Sequence, residues 1–148
     1  MRFSGSGNVK NISEVEMELF IYPTEDEKKV LESVKTLTEI KPTKESIESY
    51  YGPKIKKITY KIKKSRDIKS FINKLKSLLS ETDRNEILES LGDRIDSEGK
   101  LYIRFSKQDL LKGKLKKQYS GDIILVKIHL ISYQKADEHK KIAKEILA

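Results

Sequence analysis

The 148-residue sequence predicts an α+β domain built on a mostly antiparallel sheet, and three features lead there. Two stretches, Ile12 to Tyr22 and Lys54 to Lys63, alternate apolar and polar residues, and a third, Ile123 to Ser132, is almost continuously apolar. Alternation marks strands with one buried face, and a short unbroken apolar run marks a strand inside a sheet. Residues at helical spacing lie between and after them in the order β, α, β, α, α, β-hairpin, short α, β, α. That order does not alternate strictly enough for a doubly wound parallel sheet. No fixed-period repeat is present. Apolar residues make up 36% of the chain. A domain of this size buries roughly 68–70% of its unfolded surface, so its core needs no disulfide or metal to close it.

In the first strand Val15, Met17, Leu19 and Ile21 face one way and Glu14, Glu16 and Glu18 the other. Pro23 has no N–H to give a ladder and stops it. Thr24 then reads as an N-cap, with Glu27 three residues on as its capping-box partner and Val30, Leu31, Val34 and Leu37 as the apolar stripe. Between Thr36 and Pro53, two prolines, a glycine and the pair Tyr50-Tyr51 read as a connection with at most a short helical turn. The strand from Lys54 to Lys63 turns Ile58, Tyr60 and Ile62 inward and Lys57, Thr59, Lys61 and Lys63 outward. Ser65 is placed to cap the helix that follows, whose stripe is Ile68, Phe71, Ile72, Leu75, Leu78 and Leu79.

A shorter helix from about Asp83 to Leu91 ends at Gly92, a residue suited to the position after a C-cap. Arg94-Ile95-Asp96 and the stretch Lys100 to Phe105 flank Ser97-Glu98-Gly99 as a hairpin, with Leu101, Ile103 and Phe105 inward and Lys100, Tyr102 and Arg104 outward. Ser106 with Asp109 forms a second cap signature, and Gly113 closes that turn. The final helix runs from about Lys135 to Leu147 and buries Ile142, Ile146 and Leu147.

Composition bounds the function. With no Cys there is no thiolate nucleophile and no Cys-based zinc site. No apolar run reaches the 18 residues of a membrane span, so no membrane partner is expected and the cytoplasm is the default location. Residues 1–10 lack an apolar h-region and read as a flexible leader, leaving 11–148 as one α+β domain. The formal net charge is +8. It is unevenly spread: Lys54 to Lys76 and Lys100 to Lys117 together hold 17 of the 31 cations and 2 of the 23 acids. Those windows carry +15 and the rest of the chain −7. Such segregation is expected of one cationic surface presented to a polyanion, foremost a phosphate backbone. A Lys- and Glu-rich thermostable surface is the competing explanation.

The candidate contacts follow from the windows. Lys57, Lys61 and Lys63, continued by Lys64 and Arg66, are spaced to track phosphates, unless the first strand pairs beside them and its glutamates offset the charge. In the second window Tyr102 and Arg104 share a strand face, followed by Lys107, Gln108, Lys112, Lys114, Lys116 and Lys117. Arg can fork onto a phosphate, Gln can read a base edge or a 2′-hydroxyl, and Tyr can stack on an unpaired base. Catalysis finds little support: His129 and His139 have no nucleophile or acid beside them in sequence, and no P-loop or dinucleotide fingerprint occurs. No cofactor and no metal is expected. The glutamate stripe reads as a solvated strand face before it reads as a Mg²⁺ site.

Two segments carry a resemblance. Tyr22-Pro23-Thr24-Glu25-Asp26-Glu27 with Val30, and Gly99 to Gln108 followed by Gly113-Lys114 and Asp122-Ile123-Ile124, together resemble the archaeal RNA-binding family described as predicted exosome subunits. The similarity runs from about Val15 to Tyr133. Ser106 departs from the pattern where Asp is expected, although either residue can cap a helix. The resemblance implies an antiparallel sheet with helices packed on one face, similar to the large-subunit ribosomal protein that carries 5S RNA. It also implies RNA, structured or single-stranded, as the partner, with the exosome or other RNA-processing proteins beside it. The expected function is therefore a non-enzymatic RNA-binding protein. The alternative is an interaction or oligomerising module whose basic face meets an acidic partner.

Overall fold

The computed structural model describes residues 11–49, 52–131 and 136–148. The expected leader, residues 1–10, and the Tyr50-Tyr51 pair lie outside the described residues. The sheet has the order β2-β3-β1-β5-β4, where β1 is Ile12–Ile21, β2 Thr43–Ser49, β3 Gly52–Ile62, β4 Lys100–Ser106 and β5 Ile123–Leu130. Every neighbouring pair is antiparallel. β1 is the middle strand, and on each side of it the chain lays down the edge strand before the inner one, β2 before β3 and β4 before β5.

Period-2 alternation sends Val15, Met17, Leu19 and Ile21 to one face with Ile58, Tyr60 and Ile62, Leu101, Ile103 and Phe105, and Ile124, Val126 and Ile128. A register shift between Ile12 and Glu14 lets Ile12 join the same buried set. The helices are α1 (Glu27–Val34), α2 (Ser65–Leu78), α3 (Glu81–Glu89), α4 (Leu91–Arg94), α5 (Lys107–Leu111) and α6 (Ala136–Leu147). Their buried residues, among them Val30, Phe71, Leu75, Ile87, Leu110 and Ile146, belong to the same apolar cluster as the inward strand residues. The helical layer thus lies on that face. Each such large side chain contributes about 1.5–3 kcal/mol of transfer free energy. On the opposite face the described side chains of β1, β3, β4 and β5 are half-buried or exposed, apart from Ser106 at the end of β4, which is buried.

Five expectations are corrected. The stretch after Leu37 contains β2, an edge strand; its Thr, Lys, Glu and Ser side chains disguise it, and it owes its ladder to β3. Asp26 and not Thr24 caps α1, accepting from the Lys28 and Lys29 amides at 3.0 and 3.3 Å. Lys64, without a side-chain cap, precedes α2, so Ser65 is helical. Gly92 sits inside α4, and the expected hairpin reduces to one bridge, Ile95 to Leu101, because β4 takes β5 as its ladder partner.

The turn before β4 is still tight. The Asp96 carboxylate accepts from the Glu98 and Lys100 amides, both at 2.9 Å. Gly99 takes φ +84°, and a Cβ there would come within 2.7 Å of His139 Nε2 on α6. Only glycine fits both demands.

Candidate nucleic-acid interface

The cationic strand β3 and its counterpart β4 stand on opposite sides of the sheet, three strand intervals or about 14 Å apart. Both turn their odd or even outward set to the same open face. In one transverse row Lys61 lies opposite Glu16, Glu16 opposite Lys127, and Lys127 opposite Tyr102. In the next row Thr59, Glu18, Leu125 and Arg104 follow one another. The acidic strand therefore runs between the two basic windows. Glu18 pairs with Lys127 at 3.0 Å and raises that ammonium's pKa. His129 Nε2 is 3.9 Å from Glu16, beyond hydrogen-bond reach.

The first window opens onto a cavity of about 500 Å³ where β3 turns into α2. Lys61, Lys63, Lys64, Arg66 and Lys74 line it, with Glu39 and Asp67 as acids and Thr38 and Ser70 as hydroxyls. Arg66 lies 3.7 Å from Asp67, whereas Lys61, Lys63, Lys64 and Lys74 have no ion-pair partner among the described residues. Arg66, Ser70 and Lys74 recur every four residues, so one stripe of α2 faces this space. Lys74 was absent from the expected contacts, and that spacing was the signal for it. Lys57, half-buried on β3, lies opposite Phe20 on one side and Glu45 on the other.

The second window divides. Lys107 is fully buried: its Nζ donates to the Phe20 carbonyl at 2.6 Å and to Glu25 at 2.6 Å, and lies 3.0 Å from Asp122. The Tyr22 ring covers the same ammonium at 5.0 Å. Gln108 Nε2 donates to Asp122 at 2.7 Å and Glu25 at 3.3 Å. Burial pushes the Glu25 carboxyl up, yet donation from Lys107 and from the Tyr22 amide outweighs it and leaves the pKa lowered. Lys107 is thus an internal pin joining the β1–α1 turn, α5 and the start of β5, and it cannot meet a polyanion as expected.

Lys117 is also committed. Residues 116–118 run antiparallel along the outer edge of β4, with the Ser106 amide donating to the Lys116 carbonyl at 2.8 Å and the Gln118 amide to the Arg104 carbonyl at 3.0 Å. Lys117 falls opposite the inward-facing Phe105, so its side chain turns to the helical layer and meets Glu86 at 2.6 Å. That carboxylate raises the Lys117 pKa. Tyr102 donates its hydroxyl to Asp96 at 3.0 Å, a bond that raises the Tyr102 pKa. Arg104, Lys112, Lys114 and Lys116 remain exposed with no ion-pair partner among the described residues. Among those residues no group of three or more His, Cys, Asp or Glu is placed to hold a metal.

An antiparallel α+β domain whose described residues leave one sheet face open, with surface cations at both its flanks, is an arrangement suited to a nucleic acid. Residues 14–130 match the model of the RNA-binding family, and the chain belongs to that family. It is 36% identical over 126 residues to an RNA-binding protein of Pyrococcus abyssi, covering 80% of this chain and 82% of the relative. A solved protein of Archaeoglobus fulgidus superposes with a TM-score of 0.81 at 33% identity, over 91% of this chain and 99% of that one. One from Methanothermobacter thermautotrophicus gives 0.78 at 29%, over 93% and 98%.

Proposed function

We propose that this protein is a non-catalytic RNA-binding protein of the cytoplasm that holds RNA by phosphate-backbone and shape recognition at two groups of surface cations. The carrying observation is the convergence of Lys61, Lys63, Lys64, Arg66 and Lys74 on one cavity. Arg104, Lys112, Lys114 and Lys116 form the second group, beyond β4 and α5. Lysines serve phosphates as point charges, while Arg66 and Arg104 can fork onto two oxygens. An RNA touching both groups crosses the glutamates of β1, which repel phosphates and favour sugar or base edges there. Membership of an RNA-binding family supports RNA over other polyanions. Association with the exosome or other RNA-processing proteins belongs to the same reading and is supported by the sequence resemblance.

The test is anisotropy of labelled RNA over a series of salt concentrations. Binding should weaken with log salt by about 0.7–0.9 per phosphate contact. Charge reversal at Lys63, Lys64 and Arg66, or at Arg104, Lys114 and Lys116, should lower affinity, and RNA recovered after incubation with Mg²⁺ should be intact. Absence of binding at low salt, or affinity indifferent to both reversals, overturns the proposal.

A further inference from the structure

Tyr119 is the most exposed of the large apolar side chains noted at the surface, 75% accessible, against 36–39% for Phe20, Tyr22 and Ile47. Its ring is not free to wander. The Lys117 ammonium sits 4.5 Å from the ring centroid, and that ammonium is itself held by Glu86 at 2.6 Å, on a lysine side chain 10% exposed. The backbone on the N-terminal side is pinned to β4 through the Gln118 amide, and the Gln118 side chain donates to the Ser120 carbonyl at 2.8 Å. One side of the aromatic ring is therefore anchored to a fixed cation while most of the residue faces solvent. Lys114 and Lys116, exposed and without ion-pair partners among the described residues, precede it by five and three residues.

A surface tyrosine whose sole purpose is to cover apolar neighbours would be largely buried by them. This one is held in place and left open. We infer that Tyr119 is a stacking platform for an unpaired base of single-stranded RNA, with Lys117 as its positioning residue and Lys114 and Lys116 meeting the adjacent phosphates. The inference rests on the RNA-binding reading and adds a strand preference that phosphate contacts alone do not produce. An aromatic face accepts any unstacked base, whereas a base inside a duplex has both faces occupied by its neighbours. The ammonium on the Tyr119 ring leaves the stacking face pre-ordered, which lowers the entropy lost on binding.

The experiment uses a single-stranded RNA carrying 2-aminopurine and the same sequence annealed into a duplex, titrated with wild-type protein and with Tyr119→Ala, Tyr119→Leu and Tyr119→Phe. Wild type and Tyr119→Phe should quench the single-stranded probe. Tyr119→Ala and Tyr119→Leu should lose the quench and about tenfold in single-strand affinity, the scale of one lost stacked base. Duplex affinity and the salt slope should stay unchanged in all four. Single-strand affinity that is equal in wild type and Tyr119→Ala, or a loss shared equally by the duplex, overturns the stacking role while leaving RNA binding intact. Failure of wild-type protein to bind either RNA at low salt overturns both.

Discussion

The two basic windows share a sign in the sequence but do different work in the fold. Between Lys100 and Lys117, Lys107 is buried against Glu25 and Asp122, Lys117 is tied to Glu86, and Lys100 lies 3.6 Å from Glu98. Between Lys54 and Lys76, Lys61, Lys63, Lys64 and Lys74 line a cavity with no ion-pair partner among the described residues. The difference comes from acids far away in sequence. Glu25, Glu86 and Asp122 lie outside both windows, and folding carries them to the second one. A cation is thus available for a ligand or consumed as a fastener according to what the topology places beside it, which local charge counts do not register.

The largest effect that bears on this contrast is expected from Lys107→Met. It leaves Glu25 and Asp122 facing each other without their shared counterion, and removing one partner of a buried pair costs about 3–5 kcal/mol. Thermal unfolding should shift down by roughly 10 °C, while RNA affinity well below the transition stays as in wild type. A variant with unchanged stability and weakened binding would reverse the assignment of roles. Next comes the triple reversal Lys63→Glu, Lys64→Glu, Arg66→Glu. It should cost about tenfold to a hundredfold in RNA affinity and reduce the salt slope by about two to three, with the unfolding midpoint little changed. The pair Arg104→Glu, Lys116→Glu removes two free cations from the other flank and should cost about threefold to tenfold by the same assay.

The smallest effect sharpens the contrast from the other direction, because the first window has its own committed lysine. Lys56 and Lys44 both donate to Glu27 at the start of α1, tying β2 and β3 to that helix and lowering the Glu27 pKa from 4.5 to about 2. A carboxyl with a depressed folded-state pKa stabilises above its unfolded value and loses that stability as pH falls through the folded one. Glu27→Gln should therefore be less stable than wild type at pH 7 by under about 1 kcal/mol, as befits a pair partly open to water. The difference should shrink as pH drops from about 4.5 toward about 2. A gap that persists at pH 2 would point to packing instead of charge.

Much of the fold was legible because alternation and helical spacing are local. β1, β3, the Ser106 cap with its bond to the Asp109 amide at 3.1 Å, and the Gly113 turn at φ +80° all follow from neighbouring residues. β2 was not legible: an edge strand with polar side chains is defined by its partner's ladder. The placement of the candidate residues was legible in part. Arg66, Lys63 and Lys64 line one cavity, and β1 does lie beside β3, with Glu16 set opposite Lys61 in the register although the two form no ion pair. Lys107 and Gln108 belong to the segments that carry the family resemblance, as do Glu25 and Asp122, and all four meet in one cluster. In this chain those motifs fasten the fold, and nothing in their spacing distinguishes a fastener from a contact.

The central claim, that RNA engages the free cations and bypasses the paired ones, is tested most directly by mapping amide chemical-shift changes during an RNA titration of isotope-labelled protein. Shifts concentrated at Lys61 to Arg66 and Lys74, and at Arg104 and Lys112 to Lys116, are the predicted result. Shifts centred instead on α1 and the outer edge of β2, with those two groups unmoved, would contradict it.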